Sequence, residues 1–132
     1  MKPILVCLVG LAGLALAQDT IYKLRVSEWR CAPHAGGVVV AQGTVVNQSG
    51  RTLNNLRVNL RVVDSQVTVV NGVPNRKVYG TNSAPIALRT LPNGAQSRFE
   101  VQVKPTRSQG VRCQIWFRSP DALQIPTLVP GQ

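Results

Sequence analysis

The chain of 132 residues carries 15 Lys plus Arg against 5 Asp plus Glu, with 3 cysteines and 1 histidine. That length holds one small domain, and so few titratable groups leave little material for acid–base, nucleophilic or metal chemistry. The formal charge of +10 points to anionic partners and away from basic ones.

Met1-Lys2-Pro3 supplies a short positive start, residues 4–14 an apolar run, and Ala15-Leu16-Ala17 a small-residue cleavage site. Together they read as a secretory signal peptide over residues 1–17, cleaved before Gln18. The apolar run is shorter than the roughly 20 residues a spanning helix needs, and no later run approaches that length, so no transmembrane segment is expected after cleavage. Cys7 is lost inside the leader and leaves no lipid attachment site. The mature chain is expected outside the cytoplasm, in the periplasm, the cell envelope or the medium. There the remaining pair, Cys31 and Cys113, is expected to form a disulfide.

Beyond the leader the apolar residues recur with a period of two and are largely Val, Leu and Ile, which favours strands; no segment carries a convincing helical period. In residues 20–30, Tyr22, Leu24 and Val26 are in phase while Trp29 and Cys31 fall on the other parity, predicting a bulge or bend near Ser27-Glu28. Residues 38–46 are apolar on both parities, as in a strand covered on two faces. Across 56–64, Leu56, Val58, Leu60 and Val62 alternate with Arg57, Asn59 and Arg61, one side for a core and the other for water. Residues 67–70 and 73–79 flank Asn71-Gly72, a hairpin signal. Residues 84–91, interrupted by Pro85, read as an edge strand. Residues 97–104 set Phe99, Val101 and Val103 against Arg98, Glu100, Gln102 and Lys104. Residues 111–118 set Val111, Cys113, Ile115 and Phe117 against Arg112, Gln114, Trp116 and Arg118.

Seven or eight short strands without a helix predict an all-β fold, an antiparallel immunoglobulin-like sandwich, with a closed barrel as the second choice. The domain is expected over residues 18–118. A Pro-containing tail, 119–132, follows, in which Leu123, Ile125, Leu128 and Val129 are free to cover a sheet edge or reach a partner. The stretch Gly43 to Gly50 with Asn47, then Leu53 and residues 56–64, and later Leu91-Pro92-Asn93-Gly94 before Phe99-Glu100-Val101 resembles the small bacterial extracytoplasmic immunoglobulin-like modules of the FxLYD type. Leu60, Val62, Val63 and Asp64 stand where that family's name motif falls, Asp64 matching and aliphatic residues replacing the aromatic ones. The resemblance implies the sandwich and an accessory role, and it carries over no catalytic or binding residue.

A Ser-His-Asp hydrolase would have to use His34, which sits in the turn-like stretch Cys31-Ala32-Pro33-His34-Ala35-Gly36-Gly37, and no nucleophile elbow accompanies it. A glycosidase needs two carboxyls across its substrate, and Glu100 has no second acid near it in sequence. Cys31-x-x-His34 with Cys113 falls one ligand short of a structural zinc site, so no metal or cofactor is expected. Asn47-Gln48-Ser49 matches a glycosylation acceptor, but a turn-initiating Asn bonded to nearby backbone is the better reading.

Eleven arginines against four lysines favour bidentate recognition of phosphate, sulfate or carboxylate. If 56–64, 97–104 and 111–118 are strands C, F and G of one sheet, Arg57, Arg61, Arg98, Lys104, Arg112 and Arg118 share a single surface with Trp116, opposed only by Glu100. The expected function is a non-enzymatic envelope module whose basic face binds an anionic envelope polymer or an acidic protein surface. Nucleic acid is a narrower version of the same reading. The competing class is a structural subunit that pairs through exposed strands or the tail, with the arginines serving solubility.

Overall fold

Each period-two segment has one apolar side to bury, and these segments fold as strands. The computed structural model describes residues 22–131. The expected leader and its cleavage point lie outside them. The strands are β1 (Leu24–Pro33), β2 (Val39–Asn47), β3 (Leu53–Asn54), β4 (Arg57–Asp64), β5 (Thr68–Val70), β6 (Val73–Asn75), β7 (Val78–Pro85), β8 (Thr90–Leu91), β9 (Gln96–Val103), β10 (Val111–Ser119), β11 (Ala122–Ile125) and β12 (Thr127–Leu128). Two four-stranded sheets, ordered β12-β1-β2-β9 and β11-β10-β4-β7, form an all-β sandwich, and β3-β8 and β5-β6 are small accessory ladders. Leu24, Val26, Ala41, Phe99 and Val101 of the first sheet meet Val58, Leu60, Val62, Ile115 and Phe117 of the second in one core.

Sheet membership corrects the sequence reading. β4 and β10 pair along their length, Leu60 opposite Ile115, but β9 pairs with β2, Ala41 opposite Val101, and so belongs to the other sheet. In immunoglobulin lettering β4, β10 and β11 take positions C, F and G, while β9 takes E. The expected order treated residues 111–118 as the final strand. The tail instead supplies that strand, β11, and the lettering of the strand before it moves by one.

The predicted bulge is present. The β1–β2 register shifts between Ser27 and Arg30, and Glu28 adopts φ 53°. The extra residue turns Trp29 and Cys31 to the core side, where Trp29 stacks on Phe99 at 6.5 Å. Cys31 then reaches across to Cys113 of the other sheet, forming the expected disulfide with 6.4 Å between Cα atoms.

Asn71 and Gly72 both have positive φ, 52° and 77°, as a two-residue hairpin turn with matching twist requires. The expected strand over 73–79 is split into β6 and the start of β7, and the expected strand over 84–91 does not form. Pro85 closes the β4–β7 ladder opposite Arg57. The chain then crosses to the edge of β9, where Ala87 N–H donates to the Arg98 carbonyl at 2.9 Å.

Both sides of the sandwich are stitched. Thr106 N–H donates to the Tyr79 carbonyl at 3.0 Å, joining the β9 end to β7. Gly80 permits this approach, since a Cβ there would stand 3.1 Å from Pro105 Cα. On the opposite side the tail runs as β11 along β10, passes Pro126 and continues as β12 parallel to β1, so it covers an edge of each sheet. Asn47 is fully buried, and its Nδ2 donates to the Arg51 and Leu91 carbonyls at 2.7 and 2.8 Å. Its amide nitrogen is a structural donor holding two turns together, which removes the glycosylation reading.

Candidate functional site: an arginine face on the β4–β10 sheet

Because Val58, Leu60, Val62, Ile115 and Phe117 point inward, the residues between them must point out. The ladder sets Arg57 opposite Arg118, Asn59 opposite Trp116, Arg61 opposite Gln114, and Val63 opposite Arg112. Four of the expected arginines and Trp116 therefore share a face, and no carboxylate stands among the outward residues of β4 and β10. From the Arg57 row to the Arg112 row this face extends about 20 Å at roughly 3.3 Å per residue.

Arg98 and Lys104 are not on that face. Arg98 points outward from β9 on the opposite sheet, paired with Thr44, and Lys104 follows the end of the same strand. The physical reason is that alternation reports which side of its own strand a residue occupies, and it is silent on the sheet to which the strand belongs.

The middle of the face is preorganised. Arg61 lies over Trp116, 5.4 Å from guanidinium carbon to ring centroid, and its Nε donates to Gln114 Oε1 at 3.1 Å. Arg112 donates to the Gly131 carbonyl at 3.0 Å. At the other end Arg57 Nη2 donates to Ser83 Oγ at 3.1 Å. Arg57 Nε, Asn59 Nδ2 and Arg118 Nε are buried without a hydrogen-bond partner among the described residues. All three lie in two adjacent rows of one face. A buried donor left unpaired costs about 1–3 kcal/mol, more when charged, and two cations directly opposite on a ladder repel. This end of the face is short of acceptors.

The opposite sheet shows a different arrangement. A depression of about 730 Å³ there is lined by Glu28 and Glu100 together with Arg30, Arg98 and Trp29. Arg30, Gln42 and Glu100 form one cross-strand row, and the Glu28 carboxylate accepts from Thr44 Oγ1 at 3.1 Å. Folding thus brings two acids, distant in sequence, to one concavity. Two acids and two arginines line this depression, so its formal charge is balanced, in contrast to the β4–β10 face. The bulge is the one sequence signal that pointed to this spot.

At the end of β4, Asp64 accepts from Gln66 N–H at 3.0 Å and from the Tyr79 hydroxyl at 3.2 Å. The Gln66 backbone N–H is the main cause that holds the Asp64 carboxyl below its usual 3.8, joined by the Tyr79 hydroxyl and the charges of Arg107 and Arg76, against an opposing desolvation. A carboxyl with a lowered folded pKa stabilises above its unfolded value, and that contribution is lost as pH falls through the folded one. Asp64→Asn should therefore unfold at a lower urea midpoint than wild type at pH 7, and the difference should close below about pH 4. A difference that stays constant from pH 7 to pH 3 would contradict this assignment.

Among the described residues no group of three or more His, Cys, Asp or Glu is placed to hold a metal ion, and no helix is long and apolar enough to cross a membrane. No family model and no curated protein matches the chain. Among solved structures, DesR, a β-glucosidase from Streptomyces venezuelae in complex with D-glucose, aligns with 76% of this chain and 14% of its own length, at 16% identity and a TM-score of 0.38.

Proposed function

We propose that the protein is a non-enzymatic extracytoplasmic module, of the kind the FxLYD resemblance implies, that binds an anionic polymer along the outer face of β4 and β10. The observation that carries this reading is the face itself, which holds four arginines and no acid and sets Arg57 directly opposite Arg118. A polymer with repeated carboxylate, sulfate or phosphate groups would pair with the accessible parts of these guanidinium groups and relieve the Arg57–Arg118 repulsion. The disulfide fits an oxidising compartment. Trp116 is half-buried beneath Arg61, which leaves little surface for base stacking and favours recognition through charge over single-stranded nucleic acid. The tail's use along β10 and β1 favours binding over assembly by strand exchange.

The test separates the face from net charge. Arg57→Glu with Arg118→Glu should elute from heparin at a much lower salt concentration than wild type, because several phosphate-like contacts are lost together. Arg30→Glu with Arg98→Glu, equal in charge but on the other sheet, should show only a small shift. Equal shifts for the two double variants would reduce the reading to bulk electrostatics.

A further inference from the structure

The β5–β6 hairpin raises a separate question. Val69, Val70 and Val73 are 68%, 54% and 62% exposed, with Val67 and Val78 at 46% and 45% on either side. The register puts Val70 opposite Val73 on one face, beside the polar Thr68–Asn75 pair, and Val69 opposite Pro74 on the other, so apolar side chains stand on both faces and neither face is buried. A two-stranded hairpin is marginal in water, and a cluster of exposed valines at one projection calls for a covering partner.

The base of the hairpin identifies that partner's chemistry. Arg76 is fixed there by donating to the Asp64 and Ser65 carbonyls, both at 2.8 Å. Lys77 and Arg107 lie over the Tyr79 ring at 5.6 and 5.4 Å, and Arg107 also donates to the Tyr79 hydroxyl at 3.0 Å. Three cations, a tyrosine and the Asp64 carboxylate on its hydroxyl thus form a net-positive collar beneath the valines. Tyrosine and basic residues at the level of lipid headgroups, with aliphatic residues beyond them, are the arrangement of an interfacial anchor.

We propose that the β5–β6 hairpin docks into an anionic lipid surface, its valines in the boundary between headgroups and acyl chains and Arg76, Lys77 and Arg107 among the headgroup phosphates. Three residues per strand reach about 10 Å, which matches the depth of interfacial segments. The polar Asn71-Gly72 turn and the open strand edges keep the tip at that boundary, where water still reaches the backbone. A second copy of the chain is the poorer occupant. Strand pairing would cover an edge and leave both apolar faces exposed, and it would bring two cationic collars together. This inference is independent of the arginine face.

The exported protein should sediment with vesicles of equal phosphatidylglycerol and phosphatidylcholine, and at least about tenfold less with phosphatidylcholine alone. Val69→Ser with Val73→Ser should lose about tenfold or more of the binding to anionic vesicles. Its melting temperature and heparin elution should stay at wild-type values, since the valines are exposed and net charge is unchanged. Lys77→Gln with Arg107→Gln should lose the preference for anionic vesicles. Wild-type protein that ignores both vesicles, or a Val69→Ser/Val73→Ser variant that sediments like wild type, overturns the proposal. In the latter case the arginine face alone holds the lipid. A wild-type dimer that this valine variant dissociates, with no vesicle binding, overturns it in favour of a second copy.

Discussion

Replacing Cys31 and Cys113 together with serine is expected to lower the unfolding free energy by about 4.5 kcal/mol, the chain-entropy value for the 82-residue separation the bridge closes. At roughly 4 °C per kcal/mol for a domain of this size, the melting temperature should fall by about 15–20 °C. The effect is large because the bridge links β1 of one sheet to β10 of the other, and so joins the layers as well as distant parts of the chain. Thermal unfolding with and without reductant measures it. Equal melting temperatures would show that the bridge does not stabilise the fold by restricting the unfolded chain.

A second large loss is expected at Phe117, which is completely buried and meets Phe99 edge-on with 5.2 Å between centroids. Phe99 in turn stacks on Trp29, so three aromatic side chains tie β10, β9 and the bulge of β1 through the middle of the core. Phe117→Ala removes the central contact and leaves a cavity bordered by rigid strands, costing about 3–5 kcal/mol. Urea unfolding monitored by tryptophan fluorescence reads the change. A loss under about 1 kcal/mol would mean that the neighbours collapse into the space and that the ring is not central.

Much of this was legible in the chain because burial imposes a period of two. The phase break between Val26 and Trp29 located the bulge, Asn71-Gly72 located a hairpin, and the alternation in residues 56–64 and 111–118 identified the inward and outward sides that the ladder then adopts. Sheet assignment was not legible, since β9 alternates as cleanly as β4 and β10 while pairing with β2. The tail covers sheet edges, one of the two uses its apolar residues suggested, but its strands were not legible. Pro126 and Pro130 signal an end to regular structure, yet Pro126 marks the point where the chain leaves one sheet and joins the other.

The candidate site shows the same division. Parity alone grouped Arg57, Arg61, Arg112, Arg118 and Trp116, because all five come from two strands that are direct neighbours. It misplaced Arg98 and Lys104, whose position depends on long-range pairing. The donors without acceptors at Arg57, Asn59 and Arg118 appear only once cross-strand rows are known. The placement of Glu28 and Glu100 around one depression likewise arises from the β1–β2–β9 registers, which no local spacing encodes.

The central claim is that one sheet face, and not the overall positive charge, receives an anionic polymer. Its most direct test is a titration of isotopically labelled protein with a short heparin oligosaccharide, followed by amide, guanidinium and indole resonances. The account predicts that Arg57, Asn59, Arg61, Arg118 and the Trp116 indole shift together and saturate at one stoichiometry, while Arg30, Arg98 and the Val69–Val73 tip stay in place. Shifts spread over both sheets, or centred on Arg30 and Arg98, would contradict it.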